Sequence, residues 1–239
     1  MKVIFVSDMD GTLTPARLSM SEEFAEFFGN FLTNRTFYIV SGSDYKKIQE
    51  QIPSKIISQI SGIFASLGNE FYSQGKLVHQ NNFEPEKSLL KKLENYRCTT
   101  AYPFKLFSNY IEIRVGMVNF SVLGRDCSPE DRERYNLWDK QNGERERIAF
   151  DLAKNYPSYD ISIGGNISID IVPHGFGKDQ VATRLRKNHP EEKIIFLGDR
   201  VMAGGNDYAI AQRLLTLGNA EIFAVDGPEA TIAILRSMA

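Results

Sequence analysis

Short apolar runs ending in turn-forming residues alternate with helix-like segments along both ends of this 239-residue chain, and the alternation breaks down in its middle. That pattern admits few folds. Val3 to Val6 is a β-branched and aromatic run that stops at Ser7-Asp8, as a buried strand does. Ser21-Glu22-Glu23 then opens a segment with Phe24, Phe27, Phe28 and Phe31 at helical spacing, with Ser21 placed to cap it. Phe37 to Val40 predicts a second strand, Asp44 onward a second helix, and Gly62 to Leu67 a third strand. The same alternation returns late in the chain, with helices over 178–187, 207–215 and 228–238 and strands over 193–197 and 221–225. Crossover helices cover both faces of a sheet built this way, so the expected class is α/β with a parallel, doubly wound sheet.

The middle reads differently. After a helical stretch over 84–96, Tyr110 to Arg114 and Met117 to Leu123 are strand-like runs separated only by Val115-Gly116, which suits an antiparallel hairpin. Ser128-Pro129-Glu130-Asp131 is a helix start, with a capping serine, proline at the first helical position and acids in the first turn. A break at Asn142-Gly143 precedes another helix to about Asn155, and strands follow over 161–163 and 167–172. The expected organisation is one core built from 1–81 and 173–239, with an α+β cap over 82–172 inserted into it.

Ligands of an open parallel sheet bind beyond the carboxyl ends of its strands. Asp8-Met9-Asp10-Gly11-Thr12 lies there, and Gly198-Asp199 follows the last strongly apolar strand in the same way, with Gly204-Gly205-Asn206-Asp207 just beyond. Each aspartate beside glycine is also an ordinary turn former. Asp8, Asp10 and Asp199 together form an oxygen-rich set of the kind Mg²⁺ uses beside a phosphate. In the insert, Arg114, Arg125 and Arg132 could build a phosphate site or simply a solvated basic face, and spacing does not choose between them.

A formal net charge of −2 offers no field to hold nucleic acid or an anionic membrane, so an anionic ligand needs a local cluster. No apolar run reaches the roughly 18 residues of a spanning helix, and the N-terminus lacks a signal peptide's pattern, so a cytoplasmic protein is expected. Cys98 and Cys127 read as reduced packing thiols, and the three histidines show no paired spacing.

Asp8-Met9-Asp10-Gly11-Thr12 resembles the signature motif of the haloacid dehalogenase superfamily, and Ser41, Lys178 and Gly198-Asp199 with Asn206-Asp207 are similar to its other motifs in order and spacing. The stretches DMDGTLTPAR from Asp8, IRVGMVNFSVLGRDCSPEDR from Ile113, SIGGNISID from Ser162 and GDRVMAGGND from Gly198 resemble eukaryotic-type phosphomannomutases across nearly the whole chain. The resemblance implies a superfamily core with its cap, Asp8 as the nucleophile that becomes an aspartyl phosphate, and Asp10 as general acid and base. It implies Ser41 and Lys178 on the transferring phosphoryl group, Mg²⁺ on Asp8, Asp10 and Asp199, and Asp207 acting from behind them, beside Asn206. Arg114, Arg125 and Arg132 would clamp the distal phosphate, Ser168 and Asp170 would address the sugar, and Arg17 would bind substrate near the core. The implied reaction interconverts mannose 6-phosphate and mannose 1-phosphate, primed by a hexose 1,6-bisphosphate, in a homodimer joined through the caps.

The sequence departs from that family in three places. Ser41 stands where the mutases carry glycine, a hydroxyl there being the habit of the superfamily's phosphatases. Gly177 replaces an acidic residue before Lys178, and the region around Arg213 lacks the aspartate of the family's second cation site. A sugar-phosphate phosphatase is therefore the alternative enzyme, and a non-catalytic sugar-phosphate sensor the alternative outside enzymes.

Overall fold

The computed structural model describes residues 2–238, so Met1 and Ala239, the end points of the expected core, lie outside it. The chain divides into two compact units, Met1–Asn81 with Gly175–Ala239, and Asn82–His174. Among the described residues no helix is long and apolar enough to cross a membrane.

The first unit holds a seven-stranded sheet. It comprises β1 (Val3–Ser7), β2 (Thr36–Val40), β3 (Gly62–Ala65), β4 (Glu70–Ser73), β5 (Lys76–Gln80), β10 (Lys193–Gly198) and β11 (Ala220–Ala224), in the order β11-β10-β1-β2-β3-β4-β5. The five strands from β11 to β3 are parallel. β1 is buried on both faces, because Phe5 joins the apolar cluster with α1 (Glu22–Leu32) while Ile4 and Val6 join the cluster with α7 (Asp179–Asn188) and α8 (Tyr208–Leu217). An unbroken apolar run is what such a strand requires. Ser21 Oγ accepts from Phe24 N at 3.2 Å, as its capping position predicts, and Phe28 packs edge-on against Phe37.

Two features differ from the sequence reading. Strand β3 stops at Ala65, because Ser66 and Leu67 take left-handed conformations at φ 51° and 63° and turn the chain away from the ladder. The β4–β5 hairpin was not expected. β5 is exposed along its whole length, so it carries no apolar alternation, and its pairing rests on backbone bonds and the Gln74-Gly75 turn with both φ positive.

The second unit is a four-stranded antiparallel sheet of β6 (Ile111–Arg114), β7 (Met117–Phe120), β8 (Tyr159–Gly164) and β9 (Ser168–Pro173), ordered β6-β7-β9-β8. It has its own apolar core, in which Val118, Phe120, Ile169 and Ile171 of the sheet meet Leu89 and Leu93 of α4 (Lys87–Cys98), Tyr135 of α5 (Pro129–Asn142) and Leu152 of α6 (Glu144–Asn155). Cys127 packs against this core, but Cys98 is an exposed free thiol, so only one of the two cysteines has the packing role expected of both.

Gly143, at φ 64°, closes α5 and opens α6, and the bend brings Asp139 onto Arg145 at 2.7 Å with both side chains only 6% exposed. Arg145 also donates to the Gly165 carbonyl at 2.9 Å, fastening the β8–β9 turn. Asp139→Ala would leave this guanidinium buried and unpaired, a change expected to cost about 3–5 kcal/mol. Urea denaturation measures it, and a loss below about 1 kcal/mol, typical of a solvated pair, would mean that water satisfies Arg145 in the variant.

Candidate active site

Asp8 continues from β1 with its amide donating to the Leu197 carbonyl at 2.9 Å, so the first residue after the strand is still held by the ladder. Asp199 follows β10 in the same position. Lys178 enters from the start of α7, and its Nζ donates to Asp8 Oδ1 at 2.7 Å and to Asp207 Oδ1 at 2.6 Å, all three side chains being buried. Oxygens of Asp8, Asp199 and Asp207 lie within 4.8 Å of one another. Gly11 makes this crowding possible, since at φ 80° a Cβ there would sit 2.5 Å from Asp199 Oδ2.

The electrostatics are unbalanced. Burial raises the Asp8 pKa, opposed by the Lys178 ammonium and reinforced by Asp207. Asp199 is raised by burial and then by Asp207. Burial works against the charge of Lys178, but Asp8 and Asp207 outweigh it and hold the ammonium above its usual range. Of the three neighbouring carboxylates, Lys178 thus bonds two, Asp8 and Asp207. Asp207 has donors on both oxygens, Lys178 on one and the Arg200 amide at 3.4 Å on the other, whereas Asp199 Oδ1 is buried without a partner. An orphaned carboxylate oxygen beside a second carboxylate is a donor set that fits a small divalent cation.

The Asp10 carboxylate is not among the gathered oxygens of Asp8, Asp199 and Asp207. Its Oδ1 accepts from the Arg17 amide at 2.7 Å and its Oδ2 from Ser43 Oγ at 3.4 Å, and the Gln51 amide nitrogen, turned toward its acceptors, lies 3.2 Å from Oδ1. Asp10 pairs with Thr14 in an isolated bridge, and this tight bend gives its carboxylate donors of its own. Ser41 is buried, and its Oγ accepts from the Ser43 amide at 3.0 Å. Asn206 is exposed, as is Arg17, whose φ of 62° marks the same bend.

The second unit gathers the remaining expected residues. Arg125 Nη1 donates to Ser168 Oγ at 3.3 Å and to Asn119 Oδ1, while its Nε lies 3.0 Å from Glu112, which also receives Arg114 at 2.5 Å. Arg132 donates to the Arg125 carbonyl at 3.0 Å. Asn119 donates to Asp170, its cross-strand partner in the β7–β9 register. The Arg125 pKa is lowered first by burial; Glu112 opposes this, and the charges of Arg114 and Arg132 add to it. Mutual repulsion among guanidiniums is relieved when an anion joins them. Glu112 and Asn119 were missed by the sequence reading; Glu112 shares a strand face with Arg114 at the period of two, and Asn119 follows from pairing Met117 with Arg114.

A sheet with its carboxylates at the strand ends and an inserted α+β unit defines a haloacid dehalogenase-like protein. A haloacid dehalogenase-like hydrolase from Bacteroides thetaiotaomicron superposes with a TM-score of 0.67 at 12% identity, covering 100% of both chains. A trehalose-6-phosphate phosphatase related protein gives 0.58 at 18% identity, covering 99% of this chain and 96% of that one. Such identities establish the fold alone.

Sequence relationships narrow the class. A model of the eukaryotic phosphomannomutase family matches residues 24–239, and the chain belongs to that family. The phosphomannomutase of Galdieria sulphuraria is 34% identical over 94% of this chain and 90% of its own. That of Saccharomyces cerevisiae is 32% identical over 99% and 94%.

Proposed function

We propose that this enzyme interconverts mannose 6-phosphate and mannose 1-phosphate through an aspartyl phosphate on Asp8. The observation that carries the proposal is the buried Asp8 carboxylate on the Lys178 ammonium, in a chain of this family. A carboxylate oxygen of Asp8 attacks phosphorus, the phosphorus–oxygen bond to the donor hexose 1,6-bisphosphate breaks, and the departing sugar oxygen takes a proton from Asp10. In the second half, the hydroxyl of the sugar monophosphate gives its proton to Asp10 and attacks the aspartyl phosphorus, restoring Asp8 and forming a bisphosphate. Lys178 and Ser41 bind the transferring group. Asp8, Asp10 and Asp199 would hold Mg²⁺, which when bound would supply positive charge to offset repulsion between nucleophile and phosphate. Asp207 holds Lys178 in place rather than reacting.

The other phosphate of the sugar is bound by Arg114, Arg125 and Arg132, with Ser168 and Asp170 on the sugar hydroxyls and Arg17 near Asp10. Arg125→Ala is expected to raise the sugar-phosphate KM at least about 10-fold, an Arg–phosphate bond pair being worth more than about 1.5 kcal/mol. Hydrolysis of a small aryl phosphate should change little. Equal losses on both substrates would remove Arg125 from phosphate binding.

The deciding assay supplies Mg²⁺, mannose 1-phosphate and catalytic glucose 1,6-bisphosphate, and follows mannose 6-phosphate and free phosphate together. Isomer with little free phosphate supports the mutase; free phosphate without isomer makes the enzyme a phosphatase. We place the homodimer contact on the second unit, where Leu137, Phe150 and Ile163 are exposed, and a monomeric sedimentation coefficient would refute it. The exposed free thiol of Cys98 suits the reducing cytoplasm.

A further inference from the structure

Residues 66–68 are three consecutive left-handed residues, Ser66, Leu67 and Gly68, at φ 51°, 63° and 88°. Non-glycine residues rarely hold this conformation, and runs of it persist only where the surroundings over-determine them. Here both flanks do so. The Leu67 amide donates to the Ser41 carbonyl and the Ser66 amide to the Ser43 carbonyl, each at 2.9 Å, so the turn grips the loop that carries Ser41 and Ser43. On its other side Gly68 approaches α7 so closely that a Cβ would meet Val181 at 2.4 Å.

Asn69 follows the turn, is fully buried and uses its whole amide. Nδ2 donates to the Ser66 carbonyl at 2.7 Å and to the Phe176 carbonyl at 2.9 Å, and Oδ1 accepts from Asn81 Nδ2 at 2.8 Å and Gln180 Nε2 at 3.1 Å. Gln180 also donates to the Leu67 carbonyl at 3.2 Å and accepts from Asn81 at 3.1 Å, which closes a ring of three amides. Phe176 and Gln180 are the two contacts of Asn69 on that segment, and Lys178 lies midway, two residues from each.

We propose that Asn69 is a positioning residue for phosphoryl transfer: with the left-handed turn 66–68 it brackets Lys178 against the loop of Ser41 and Ser43, fixing the spacing of the groups that meet the phosphoryl oxygens. The inference rests on the reading of Lys178 as part of the reacting site. An ammonium whose chain segment is anchored on both sides, at the Phe176 carbonyl and the Gln180 side chain, does not depend on the substrate for its place, and misplacing a catalytic group by about 1 Å costs about 100-fold in rate.

Asn69→Asp tests this, since it keeps the shape but turns an oxygen toward the carbonyls of Ser66 and Phe176. The variant should fold, lose about 10- to 100-fold in kcat, and keep its sugar-phosphate KM within about threefold. Its crystal structure should show Lys178 Nζ displaced from Asp8. If kcat stays within about twofold of the parent in a folded variant, or if kcat recovers fully once the temperature is lowered below a depressed melting point, Asn69 only stabilises the fold and the proposal is wrong. Should Asn69→Asp fail to fold, Gln180→Met removes one anchor at a half-buried position. It should lower kcat about 5-fold or more with KM unchanged, and no loss of kcat overturns the bracket. A parent without mutase activity would defeat the functional reading alone, because the Lys178 displacement is read from the structure.

Discussion

Replacing Asp8 by asparagine is expected to leave a folded protein whose phosphoryl transfer falls on the order of 10⁴-fold or more, because the amide cannot form the acyl phosphate. Folding survives for an electrostatic reason. Asp8, Asp199 and Asp207 crowd one another, and neutralising Asp8 removes one repulsion while its amide oxygen can still accept from Lys178. The melting temperature without metal should therefore hold or rise. Incubation with a labelled hexose 1,6-bisphosphate separates the roles: the parent should retain hydroxylamine-labile label, and the variant none. Label retained on the variant would move the nucleophile elsewhere.

Lys178→Met should have the opposite balance, losing both activity and stability. Removing one partner of a buried ion pair costs about 3–5 kcal/mol, and here the loss strands two partners. Activity should fall about 10³-fold, the scale of removing a preorganised charge from a transition state. The pH dependence has a definite sign. Burial raises the pKa values of Asp8 and Asp199, so the folded state holds its protons more tightly than the unfolded one. That stabilisation is full below the ordinary carboxylate range and fades as pH rises through the raised values. Without the ammonium the rise is steeper, so in EDTA the variant should be markedly more stable at pH 5 than at pH 8. Adding Mg²⁺ at pH 8 should raise its melting temperature more than that of the parent, since an ion that binds only the folded state stabilises it. Equal shifts in the two proteins would show that the cation does not share the carboxylates with Lys178.

The core strands were legible because they are buried on both faces and announce themselves as unbroken apolar runs, as Val3 to Val6 does. The caps at Ser21, Asp44 and Ser128 are local hydrogen bonds, and local sequence suffices to place them. β5 left no such trace because it buries nothing. Leu67 contradicts its own backbone preference, so the tertiary bonds that Leu67 and Ser66 donate to the Ser41 and Ser43 carbonyls, with the packing of Gly68 on α7, explain where β3 ends. The site divides in the same way. Strand-end position identified Asp8 and Asp199, but the direction of the Asp10 carboxylate depends on Arg17, Ser43 and Gln51, donors that the motif itself does not contain. Asn69 is invisible in the sequence because, apart from Ser66, its partners are 12, 107 and 111 residues away.

The order of β10, β1 and β2 in the sheet has a consequence for biosynthesis. β1 lies between β2 and β10, and β10 begins at Lys193. At roughly 5–20 residues per second, β1 waits about 10 to 40 s on the ribosome with one edge unpaired. The continuous segment 82–174 contains both sides of its own sheet and can be complete before that edge closes. Nascent chains ending before β10 would expose the unpaired edge of an apolar strand, a template for pairing with another chain. The strand that leads into Asp8 is thus sealed only once the chain has been made as far as Lys193.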